Sequence, residues 1–167
     1  MTGRRPTIPV RAHTALCMQG FVGRGYSEEF AQNMQRIIDL LHNGTEIQLT
    51  AGPDRICGAC PHGQTNGCRL HDRDNEAHIV DQDHAVLRAL QLPPNSRLSW
   101  STLVERVGRN IKPSDLDSIC GGCPWLPMGM CRDALQRIQL TDQQLPPDHL
   151  QAIQSTSATG SVRHAEK

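Results

Sequence analysis

The chain has 167 residues, with seventeen basic and seventeen acidic side chains and a formal net charge of zero. That balance supplies no global positive field for nucleic acid or an anionic membrane, and five aromatic residues offer no stacking platform for single strands. No run approaches the roughly 20 apolar residues of a membrane helix, and the start, MTGRRPTIPVRAHTALC, is charged without an apolar stretch, so neither a membrane partner nor a secretory signal is expected.

Residues 1–7 read as a loose end, and Arg4, Arg5 and Arg11 as part of a solvated basic start. Ile8–His13 suits a short strand. Cys17 then precedes a glycine-bearing loop with Gly20, Gly23 and Gly25. Ser27 is a candidate N-cap, and Glu28 and Glu29 suit the positive end of a helix dipole. Phe30, Met34, Ile37, Ile38 and Leu41 follow helical spacing, predicting a helix over 27–42 that Asn43-Gly44 ends. TEIQLTAG alternates like a strand. Further helices are predicted over 81–92, stopped by Pro93-Pro94, over 101–110, in KPSDLDSIC, and in RDALQRIQL. The fold class expected is α+β and mostly helical, with short strands. A single cysteine-rich metal-binding domain is expected over 1–140. Residues 141–167 are expected to be a mostly disordered tail with a brief helix near 147–154.

Between these elements the chain repeats itself. DRICGACPHGQTNGCR (54–69) returns 63 positions later as DSICGGCPWLPMGMCR (117–132). Both phrases read C-x2-C-x7-C, with Cys57, Cys60 and Cys68 in the first and Cys120, Cys123 and Cys131 in the second. Two cysteines separated by two residues can turn both sulfurs toward one centre and aim backbone N–H groups at them. Gly58, Gly121 and Gly122 would permit the turn, and the proline after each second cysteine redirects the chain. Asp54 and Asp117 would cap the two turns. Cysteines spaced this way in a cytoplasmic chain indicate metal or redox chemistry rather than disulfides, and a doubled pattern argues against incidental buried cysteines. The core is poor in large side chains, so a bound metal would add stability that packing lacks. The two loops should face each other across one core.

Soft thiolates select zinc, copper(I) or iron–sulfur clusters. Three cysteines from one loop with a fourth ligand from elsewhere suit [4Fe–4S] centres, one or two of them. They also suit a Cys3His zinc site, for which His71 gives the first phrase a candidate ligand. The second phrase has no matching histidine, so His71 reads better as a solvated loop residue. Cys17 is the unpaired seventh cysteine, and His13, four residues earlier, would share its face if the segment were helical. Either residue can complete a three-thiolate site. The loop GFVGRGYS invites an anion-binding reading, but it lacks the Lys-Ser/Thr of a phosphate loop, and a turn that brings Cys17 to a metal suits it equally. No Ser–His–Asp set or H-E-x-x-H frame is present.

RAHTALCMQGFVGRGYSEEF, DRICGACP and CGGCPWLPMGMC together resemble a small bacterial and archaeal family of unknown function whose members are described as iron–sulfur-binding. The resemblance spans about residues 10–136 and implies cluster binding without a reaction. Where the family pattern often places a second histidine after His13, this chain has Thr14. The function expected is that of an iron–sulfur protein in the cytoplasm, with Cys17 and the six repeat cysteines as ligands and His13 as a further candidate ligand. It would act in electron transfer with a redox partner protein, or as a cluster-dependent enzyme on a small molecule. The alternative is a structural zinc interaction module.

Overall fold

The structure is a computed structural model and describes residues 5–70 and 75–144. Strand β1 (Thr7–Arg11) and strand β2 (Glu46–Thr50) pair in parallel, with Ile8 opposite Ile47 and Val10 opposite Leu49. These four side chains are buried. Parallel neighbours need a crossover. Helices α1 (Ala12–Cys17) and α2 (Glu28–His42) lie within it. The Ser27 hydroxyl accepts from the Phe30 N–H at 3.0 Å, capping α2 as expected. Phe30, Met34, Ile37, Ile38 and Leu41 all enter the core, as their spacing requires. Two short hairpin strands follow, β3 (Gly63–Gln64) and β4 (Gly67–Cys68), paired antiparallel.

Helix α3 (Asn75–Leu90) precedes strand β5 (Arg97–Leu98), which pairs antiparallel with the other edge of β2. Helices α4 (Trp100–Asn110), α5 (Leu116–Ile119) and α6 (Met130–Gln144) complete the fold. α4 packs on α6 closely enough that a Cβ on Gly108 would stand 2.7 Å from Ile138 Cγ2. The fold is α+β and mostly helical. Among the described residues no helix is long and apolar enough to cross a membrane.

Several boundaries differ from the sequence reading. The strand stops at Arg11, and His13 begins no further strand but lies in α1. Ala12, Ala15 and Leu16 are buried there at helical spacing. α3 starts six residues before the expected Asp81. Its buried stripe is Ile79, Asp83, Val86, Leu87 and Leu90. A carboxylate in an apolar slot hides that period from sequence reading. α4 is capped by Ser99, whose hydroxyl accepts from Thr102 N–H at 3.2 Å. β5 is too short to show a pattern. α6 already contains Cys131 and continues to Gln144, so residues 141–144 are helical. Arg4, His71 and the expected helix at 147–154 lie outside the described residues.

Candidate functional site

In the first phrase, the Asp54 carboxylate accepts from the backbone N–H groups of Ile56 and Cys57 at 2.8 and 2.9 Å. This caps the turn, as the sequence suggests. Cys57–Ala59 form a 3-10 turn closed by Cys60 N–H on Cys57 carbonyl at 3.1 Å. The β3–β4 hairpin then returns Cys68 opposite Gly63. Leu70 N–H points at the Cys68 sulfur at 3.5 Å. Asn33 of α2 holds the loop by donating to Arg55 carbonyl at 2.9 Å.

The second phrase makes the same C-x2-C turn, with Cys123 N–H on Cys120 carbonyl at 2.8 Å, and then departs from the first. A 3-10 turn at Leu126–Met128 and the start of α6 replace the hairpin. Asp117 does not cap this turn, contrary to expectation. Its side chain pairs with Arg132 at the other end of the phrase. Gly58 is not required by its surroundings, since nothing lies near a Cβ placed there. Gly121 is required, because its Cβ would meet Asp117 carbonyl at 2.7 Å. The two loops meet at Tyr26, whose ring packs edge-on against His62 of the first loop at 4.9 Å and Trp125 of the second at 5.5 Å.

Cys17 joins the second phrase. It stands within electrostatic reach of Cys120, Cys123 and Cys131, and it lines one cavity with Cys123 and Cys131. Gly20 makes this approach feasible, because any Cβ there would lie 3.0 Å from Cys131 Cα and Met130 carbonyl. The glycine loop thus seats Cys17 against the start of α6.

None of the seven cysteines is in a disulfide. Burial, then the neighbouring Cys123, Cys131 and Cys120, raises the Cys17 thiol well above its ordinary range. Burial and Cys123 push Cys120 up to about 11, against a hydrogen bond from Gln82. Burial and Cys123 also raise Cys131. In the first phrase, burial and Asp54 push Cys57 up to about 12. Burial raises Cys60, while N–H groups of His62 and Gly63 oppose that rise and nearby Cys68 adds to it. Thiols crowded this way repel as thiolates, and a cationic iron or zinc centre relieves the repulsion. Among the described residues, no three His, Cys, Asp or Glu side chains are grouped to hold a single metal ion.

Arg11 is not part of a solvated basic end. Its side chain is only 1% exposed. Its Nε donates to Asp83 Oδ2 at 2.8 Å, its Nη1 and Nη2 donate to Glu76 at 3.2 and 2.9 Å, and its backbone N–H donates to Asp54. Each carboxylate also holds part of a cysteine region. Asp54 caps Cys57, Glu76 accepts from Cys68 N–H at 2.8 Å, and Asp83 accepts from the His13 ring Nδ1 at 2.6 Å and from His13 backbone N–H at 3.0 Å. Glu76 and Asp83 stand seven residues apart, two turns of α3, so they share a face. Sequence reading singled out Asp54 only as a turn cap and overlooked Glu76 and Asp83. The available signal was an arginine ending an apolar strand and two carboxylates at helical spacing.

His13 lines the same cavity as Cys17, Cys123 and Cys131. The cavity holds about 450 Å³, with Tyr26, Trp125 and Phe21 among its walls.

A family model described as "Protein of unknown function (DUF1284)" matches residues 25–129, a range that includes five of the repeat cysteines and leaves out His13, Cys17 and Cys131. No curated protein and no solved structure matches the chain.

Proposed function

Because the chain belongs to the family described as Protein of unknown function (DUF1284), we propose its function from the site itself: it binds an iron–sulfur cluster, [4Fe–4S], through Cys17, Cys120, Cys123 and Cys131. The observation that carries this reading is the convergence of a leftover cysteine with one complete three-cysteine phrase. A mononuclear zinc site gathers its donors around one point at about 2.3 Å. A cubane takes one thiolate per iron, so it needs four thiols in one region without a common ligand point. The donor set fits the second requirement.

Cys57, Cys60 and Cys68 would anchor a second centre, with N–H groups of His62, Gly63 and Leu70 directed at the sulfurs. When bound, a cluster supplies one-electron exchange or a Lewis-acidic iron. The residues of this chain would bury it, with backbone N–H groups aimed at Cys60 and Cys68 in the first phrase and a cavity bounded by Cys17, Cys123 and Cys131 at the second. That cavity supports a cluster-dependent enzyme acting on a small molecule, as against a carrier serving a redox partner protein. Reduced thiols suit the cytoplasm.

The test is anaerobic purification followed by iron, acid-labile sulfide and visible absorption measurements. Iron with equimolar sulfide and a broad charge-transfer band supports the proposal. Colourless protein with stoichiometric zinc would replace it with the structural zinc reading.

A further inference from the structure

The chain has seven cysteines, and they divide unequally between the two phrases. Cys17 stands with Cys123 and Cys131 around one cavity, seated there by the close approach of Gly20 to Cys131. Cys57, Cys60 and Cys68 are the remaining three once Cys120 joins that set, so the first phrase has no fourth cysteine to draw on. The two carboxylates that touch the first phrase are already committed. Asp54 accepts from Ile56 and Cys57 N–H through Oδ1 and from Arg11 N–H through Oδ2. Glu76 accepts from Cys68 N–H and Arg11 Nη1 through Oε2, and from Arg11 Nη2 through Oε1. Pulling Glu76 away to ligate a metal would strip a buried guanidinium of a partner. Pulling Asp54 away would uncap the turn that presents Cys57. The repeat has therefore diverged: the second phrase gains a thiol from α1, and the first does not.

We propose that the first phrase holds its cluster by three thiolates, Cys57, Cys60 and Cys68, and leaves one iron for an exchangeable small Lewis base such as a carboxylate, hydroxyl or thiol. This rests on the cluster reading above and adds a division of labour to it. The four-thiolate second phrase suits electron exchange alone, and the first phrase is where a small molecule is bound and polarised. Leu70 links that position to an approach route. Its N–H points at Cys68 Sγ at 3.5 Å, and the residue also lines the 450 Å³ cavity. The Cys68 end of the first phrase thus borders the chamber that lies against Cys17, Cys123 and Cys131.

The experiment treats full-length protein, purified anaerobically, with one equivalent of ferricyanide per chain. The oxidant takes one electron, and an iron without a cysteine ligand departs as Fe²⁺, leaving a paramagnetic [3Fe–4S] centre. Wild type is expected to lose one iron per chain and to regain it from ⁵⁷Fe²⁺ as a single Mössbauer environment. Once refilled and reduced, it should show ¹³C coupling to added labelled cyanide by paramagnetic resonance. Cys123→Ser, which keeps the first phrase intact, retains these responses, and Cys60→Ser, which keeps the second, loses them. Loss of no iron or of two per chain in wild type overturns the inference, as do responses that follow Cys123 and not Cys60. It is equally overturned if iron release or cyanide coupling appears only after His62→Ala or His71→Ala, since that ring would then be the fourth ligand. Iron and sulfide content before treatment judges the cluster reading separately. Protein without either defeats both readings, and intact clusters that release no iron defeat only this one.

Discussion

Arg11 Nε donates to Asp83 Oδ2 at 2.8 Å, and neither side chain is more than 1% exposed. A strand end and the middle of α3 are thereby locked together through a pair of buried charges. Such a pair is tolerable only while every partner is present, since removing one leaves the other charged and dry. Asp83→Leu is therefore expected to destabilise the protein by about 3–5 kcal/mol, measured by denaturant unfolding. Glu76→Gln, at a partly exposed partner that keeps an acceptor for Cys68 N–H, should cost about 1 kcal/mol. Equal losses from both would deny Asp83 its central place.

The cysteines should sort into two groups by metal content. Cys17→Ser and Cys123→Ser are each expected to remove the same cluster, so the double variant loses no more iron than either alone. Cys17→Ser combined with Cys60→Ser should lose more than either. Anaerobic iron and sulfide analysis of the three single and two double variants reads this directly. Additive loss for Cys17 with Cys123 would separate the two residues.

Metal-free protein should lose stability at alkaline pH. Folding raises the Cys120 thiol to about 11 and the Cys57 thiol to about 12. In the unfolded chain they ionise near about 8.5. Above that value the unfolded state binds fewer protons than the native state, so stability falls with rising pH. The contribution is intact below about pH 8.5 and is lost progressively toward pH 11–12. Unfolding midpoints at pH 8, 9.5 and 10.5 should decline in the metal-free wild type and less steeply in Cys57→Ser and Cys120→Ser.

Two glycine substitutions should separate room from sequence pattern. Gly20→Ala drives a methyl to 3.0 Å from the Cys131 backbone, where no flexible side chain can yield. It is expected to cost about 1–3 kcal/mol and to lower cluster content. Gly58→Ala meets open space, and a change within about 0.5 kcal/mol is expected despite its place in the repeat. Thermal melts with parallel iron assays check both.

By itself the sequence determined the α+β class, the amphipathic face of α2 and the two C-x2-C turns. Each depends on spacing within a few residues: Phe30 to Leu41 on one helical face, and Cys57–Cys60 or Cys120–Cys123 closed by a single backbone hydrogen bond. It also singled out Cys17 and His13 but left open what they join. Only the tertiary structure decided that Cys17 sits with the second phrase, because the contact between Gly20 and Cys131 spans more than a hundred residues. It likewise turned Arg11 from a solvated basic residue into a buried hub, since the carboxylates that satisfy it come from Asp54, Glu76 and Asp83. A buried charge is stable only beside its partners, and those partners are brought to it by packing, which no local pattern records.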